Sequence, residues 1–327
     1  MAKAVHPSTN FFLACLAVAG MLLLFSAGLS GQAVASGVST LMNRPLNVPE
    51  NFVITPFGYF HPSCVQTLAG GSTLLADGRV QQADGTIEAV QVCNYPHYMT
   101  GGATVAADAK VGEANPPAID GWLEAVFAST STSYYKITAT WPVPPAPASN
   151  DGQVLYFFPG FEASNGFSIL QPVLQWGYNG AFGGTYWQAA SWNCCINGTA
   201  WYSAPINVSV ADTILGTIVS TCKPGKNYCA TWDVVSKDVT TGQKTTLATP
   251  ADGQIWNYGF GAVTEDYNVV QCSDFPNDSG LTFTVHLYDQ NGKVISNPGW
   301  AGYVASNPTP ECNYGTKVTK TKETLKY

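Results

Sequence analysis

The sequence predicts an all-β chain: an antiparallel β-sandwich or jelly roll, preceded by a small irregular N-terminal module. Three observations predict it. From Gly121 onward, runs such as YYKITATWPV, QVLYFFPG, SILQPVLQWG and LTFTVHLYD alternate β-branched or aromatic residues with polar ones. Turn residues separate these runs at short intervals, and helical repeats are few. Between residues 36 and 120 the pattern is different, with turn signals at LAGGST, ADGR, ADGT and TGGA and only short strand-like pieces such as IEAVQV.

The elements follow in chain order. Residues 1–35 carry Lys3, an apolar run from Phe11 to Leu29 and the small-residue triplet Ala33-Val34-Ala35. That is the pattern of a secretory signal peptide, which makes the protein secreted; a retained membrane anchor is the competing reading. No later segment is long and apolar enough to span a bilayer, so no membrane partner is expected after signal removal.

Residues 36–120 form the N-terminal module or pro-region, ending in the Pro-containing link GEANPPAIDG. Acidic residues outnumber Arg44, Arg79 and Lys110 there, so ion pairing to an acidic site is not its expected mode of action. His61-x-x-Cys64 and Cys93-x-x-x-His97 have the spacing of a small zinc site. In an exported protein the same cysteines read as a disulfide, and no metal or cofactor is expected. Residues 121–310 are the sandwich, and residues 311–327, with KVTKTKETLKY, read as a solvated basic tail.

Nine cysteines, one of them in the signal, leave an even number for up to four disulfides. Cys222 and Cys229 flank the turn sequence KPGKNY and are the clearest pair. Sequons at Asn197, Asn207 and Asn277 fit glycosylated surface loops. A net charge of −7 with only 11% charged residues excludes a nucleic-acid partner, since a phosphate backbone demands clustered Lys and Arg.

There is no G-x-S-x-G elbow, no glycine-rich phosphate loop and no H-E-x-x-H. Beyond the signal the histidines are His61, His97 and His286, little material for a serine triad. Gln171 and Gln175 are more informative. They lie four residues apart in an apolar strand, on one face if the strand is regular, although Pro172 between them suggests a bulge or an edge. Aromatic residues crowd YWQAASWNCCINGTAWY, mostly as core filling, with one or two available to line a groove.

Several pieces in order resemble the glutamic peptidase (eqolisin) family of acid endopeptidases on a β-sandwich. They are Gly121-Trp122 with YYKITATWPVP, PGFEASNGFSILQ, INVSVADTILGTIVST with TWDVVSKDVTTGQKTTL, GAVTEDY, and SDFPNDSGLTFT. The likeness runs from Gly121 to about Leu287 and implies a polypeptide substrate cleaved by a Gln/Glu pair acting on water. It places Gln171 at the glutamine that stabilises the oxyanion. It places Glu162 at a supporting acidic position usually held by Asp, and Phe158 where a Trp is usual.

The glutamate is read in either of two registers. One puts Gly261 at the catalytic position and removes the base; the other makes Glu265 the general base and acid. Glu265 is the candidate, with Gln171, for catalysis; Glu162, Phe158, Gln175, Trp176 and Trp187 are candidates for substrate binding. The second reading is a non-catalytic secreted β-sandwich that binds glycan or peptide in an aromatic groove, and a monomer is expected in either case.

Overall fold

The computed structural model describes residues 44–107, 121–163 and 168–327. The signal peptide expected at 1–35 lies outside the described residues, as does the link GEANPPAIDG up to its last residue, Gly121. Two sheets pack face to face. The front sheet runs, neighbour by neighbour, Ala301–Val304, Trp122–Ser129, Trp256–Tyr267, Val154–Ala163, Ile169–Trp176, Trp187–Ile196, Thr199–Ser203 and Val65–Leu68, with Ile206–Asn207 paired to the side. The back sheet runs Gly315–Val318, Lys322–Lys326, Leu281–Tyr288, Lys136–Pro142, Thr213–Ser220, Thr231–Asp238 and Lys244–Pro250, followed by three two-residue strands from Thr73 to Glu88. Pairing is antiparallel except where Val65–Leu68 joins Thr199–Ser203 and Thr73 joins Ala248.

The two sheets bury their residues differently. Thr213–Ser220 alternates between buried and partly exposed positions, because one face of the back sheet meets solvent. Ile169–Trp176 is buried at every position. Its Leu170 and Leu174 face the back sheet in the inter-sheet core, whereas Ile169 and Val173 join a second core on the opposite face. That second core is closed by Val48, Phe52, Ile54, Phe57, Tyr59 and Phe60 from the N-terminal segment.

The described part of the N-terminal segment is therefore not a module of its own. Its strands are too short to bury a core by themselves, and they extend the edges of both sheets; Thr40–Tyr327 makes one compact unit. Its remaining strands, Val53–Thr55, Gly58–Phe60, His97–Tyr98 and Thr104–Val105, form a small separate sheet over the front face.

The C-terminal residues are likewise not a solvated tail. Lys322–Lys326 pairs with Leu281–Tyr288 and Gly315–Val318. Glu323, Leu325 and Tyr327 turn inward while the lysines face water, a period-two pattern hidden by the charge of the outward residues.

Four disulfides are present, Cys64–Cys93, Cys194–Cys195, Cys222–Cys229 and Cys272–Cys312, including both pairs that the sequence singled out. The His61 ring stacks on Tyr95 and His97 on Phe60, and no metal-holding cluster occurs among the described residues. Asn197, Asn207 and Asn277 are all exposed. Among the described residues no helix is long and apolar enough to cross a membrane.

Candidate functional site

Pro172 sits in a central strand without disturbing its parity. Its register with Ser191 is regular on one side. On the other side the pairing with Val154–Ala163 is interrupted between Phe157↔Leu174 and Phe161↔Leu170, so the missing N–H breaks no ladder bond. The Pro172 ring is turned toward the back sheet, where a Cβ on Gly216 would meet it at 2.7 Å. Gln171 and Gln175 consequently share the front face.

There the Gln171 amide donates to the Pro56 carbonyl at 2.9 Å, while its Oε1 has no partner. Two tyrosines extend the contact. Tyr156 donates to the Ile54 carbonyl at 2.9 Å, and Tyr267 donates to the Thr55 carbonyl at 3.0 Å. Three consecutive backbone carbonyls of the hairpin Val53–Phe60 are thus received by three side chains of the front sheet.

Glu265 lies on the same face, fully buried, on the strand Trp256–Tyr267. Its carboxyl contacts the Tyr267 hydroxyl and accepts from Thr100 at 3.4 Å, and Trp122 also bonds it. Burial pushes its pKa up to about 8; the Tyr267 bond opposes the rise and the Asp266 charge adds to it. The Tyr267 hydroxyl has one hydrogen. It faces both the Glu265 carboxyl and the Thr55 carbonyl, and the hydroxyl oxygen accepts from the Gly58 N–H at 2.9 Å.

Glu162 shares this face, opposite Ile169 and hence a diagonal neighbour of Gln171. Neither carboxylate oxygen has a partner among the described residues, and burial, followed by the Glu265 charge, pushes its pKa well above the usual carboxylate range. Phe158 packs edge-on against Trp122 with ring centroids 5.9 Å apart. Gln175 is a structural amide: it donates to the carbonyls of Gly177 and Phe182 and accepts from Asn179, pinning the following turn.

Two expected groove residues are elsewhere. Trp176 follows Gln175 by one residue and so faces the other way, and Trp187 is its cross-strand partner. Their rings lie 5.2 Å apart in the core between the sheets. The groove face holds Trp122 instead.

The two candidate catalytic residues do not lie side by side in the ladder. Glu265 is level with Tyr156, whereas Gln171 flanks Gly160, which is level with Phe260. They come together on the hairpin: Gln171 holds Pro56, and Glu265 reaches Thr55 through Tyr267. Gly261 is turned to the opposite side, where its Cβ position lies 3.5 Å from Glu323.

Sequence reasoning missed Tyr156, Tyr267, Thr100, Trp122 and the hairpin. Period-two spacing from Glu265 points to Tyr267, but nothing in the sequence marks Thr100 or Pro56, whose proximity is wholly tertiary.

No family model matches the sequence, and no curated protein matches it. Solved structures do. The chain is similar to scytalido-glutamic peptidase with a peptide-based transition state analogue, at 16% identity and TM-score 0.45 over 63% of this chain and 98% of that one. It is similar to SCP-B, a member of the eqolisin family of peptidases, in a complex with the tripeptide Ala-Ile-His, at 16% identity and TM-score 0.43 with the same coverages. Aspergilloglutamic peptidase from Aspergillus niger matches at 17% identity and TM-score 0.35, over 53% of this chain and 98% of that one. The likeness is divergent.

Proposed function

We propose that the protein is a secreted hydrolase that cleaves polypeptides in acid, with Gln171 stabilising the oxyanion and Glu265 acting as general base and then general acid. The observation that carries this reading is the recognition of Ile54, Thr55 and Pro56 through their main-chain carbonyls alone. Donors that bind carbonyls and ignore side chains suit a polypeptide ligand of varied sequence. An amide already 2.9 Å from a peptide oxygen is placed to meet negative charge developing there. Glu265, on the same face, is joined to the same hairpin through the Tyr267 hydroxyl.

The test is hydrolysis of an unfolded protein substrate at acid pH after release of the hairpin. Gln171→Ala should lower kcat by about 10²–10³, and Glu265→Gln by about 10²–10⁴. Undiminished turnover in both variants would sink the assignment.

One observation favours a non-catalytic, peptide-binding sandwich. The residues of Trp256–Tyr267 level with Gln171, Phe260 and Gly261, carry no acid. Peptide binding without cleavage at any pH would establish that second reading.

A further inference from the structure

The front face is occupied by the chain's own N-terminal hairpin, whose attachment differs from that of the rest of the segment. Val65–Leu68 and Thr73–Leu74 are laddered into the two sheets. Val53–Thr55 and Gly58–Phe60 pair with each other and with His97–Tyr98, in a sheet that shares no strand with the sandwich. The hairpin meets the front sheet through side chains reaching its backbone, plus a backbone bond from the Ile54 N–H to the Asn179 carbonyl at 2.8 Å.

Its contacts fall on the residues that the proposed chemistry needs. Gln171 is spent on Pro56, Tyr156 on Ile54, and Tyr267 on Thr55 and Gly58. Thr100, from the loop after His97–Tyr98, bonds both Glu265 and Tyr267. With the hairpin in place Glu265 is fully buried and contacted by Thr100, and a carboxyl closed off from water has no water to activate.

We propose that the hairpin Val53–Phe60 is a built-in pseudo-substrate: it fills the cleft with Pro56 at the Gln171 amide, holds Glu265 in its inactive form, and keeps the chain latent until it is displaced. The proposal rests on the peptidase reading above. It also states what the cleft accepts: a peptide whose consecutive carbonyls meet Tyr156, Tyr267 and Gln171, with the bond after the third carbonyl presented for attack. In the hairpin that bond, Pro56–Phe57, lies in a two-residue turn between Thr55 and Gly58 rather than in an extended segment. Releasing the hairpin readmits water to Glu265, removes the Thr100 contact and lets the carboxyl ionise.

The test uses the full chain and two ways of loosening the plug. Phe57→Lys places an ammonium in the apolar contact made by Phe57, a charge that persists at acid pH. Gly58→Val places a Cβ where it would lie 2.2 Å from the Tyr98 carbonyl oxygen, at a φ of +108°. Each is combined with Glu265→Gln to prevent turnover. Hydrogen exchange at the Ile54 and Gly58 amides reports release, and a fluorescent peptide spanning Asn51–His61 reports an open cleft.

Faster exchange and peptide binding about tenfold or more tighter than to Glu265→Gln alone are expected, since apparent affinity scales with the open fraction. Adding Gln171→Ala should abolish the gain. The proposal is overturned if the amides stay protected in both variants, if Glu265→Gln alone binds equally well, or if released chains do not bind. Tight binding by released chains with Glu265 intact, without hydrolysis at any pH, would uphold the plug and remove the peptidase reading.

Discussion

Replacing Glu323 by Gln should stabilise the protein in neutral solution and leave it nearly unchanged in acid. Glu323 lies between the sheets with both carboxylate oxygens unpartnered among the described residues, and burial pushes its pKa from 4.5 up to about 8. Below pH 4.5 the carboxyl is protonated in both folded and unfolded chains and contributes no pH dependence. Between those two values the folded chain holds a proton that the unfolded chain has released, so stability falls as pH rises.

At about 1.4 kcal/mol per pH unit the full interval corresponds to roughly 5 kcal/mol. Water entering the site lowers that figure, so about 2–5 kcal/mol is the expected gain for Glu323→Gln at pH 8. Urea melts of both chains between pH 4 and 8 measure it, and the slope difference should equal about one linked proton. Glu124, raised to about 8, and Asp266, raised to about 7, give the wild type further slope of the same sign, in each case chiefly through burial. A wild type that gains stability from pH 5 to 8, or a Gln variant less stable than wild type at pH 8, would refute the reasoning.

Two further substitutions probe where the chain departs from its sequence pattern. Leu325→Ala, in the C-terminal strand, should cost about 2–5 kcal/mol in urea melts, as for a core leucine; a solvated tail would show no change. Trp187→Ala should cost about 3–5 kcal/mol of stability. It should not alter peptide affinity in a chain with the hairpin released, because its ring lies on the far side of the front sheet; a selective loss of affinity would return it to the groove.

The sandwich was legible because period-two alternation survives wherever one face of a strand meets water, as in Thr213–Ser220 and Leu281–Tyr288. Gln171 was legible for the converse reason: an amide in a strand apolar on both faces has no solvent to face and needs a partner. The partner was not legible. Pro56 lies 115 residues earlier, on a short hairpin with nothing to announce that it covers a sheet. Trp176 and Trp187 were misplaced by reading aromatic density without parity. The C-terminal strand was missed because lysines at its outward positions hide the burial of Glu323, Leu325 and Tyr327.

Which acid faces the cleft is decided by a single irregularity. In a regular strand Gly261 and Glu265, four residues apart, share a face. In Trp256–Tyr267 they do not. Phe158 pairs with Val263 and Gly160 with Phe260, so three steps on one strand answer two on the other, and the register against Trp122–Ser129 shifts at the same place. The extra residue turns Gly261 toward Glu323, while Phe260 and Val263, three residues apart, both point into the front core. Beyond the bulge, Val263, Glu265 and Tyr267 continue on the front face. One inserted position therefore removes Gly261 from the groove and aligns Glu265 with Tyr267, the hydroxyl through which it reaches the hairpin. Identity at either position mattered less than the count of residues between Phe260 and Val263.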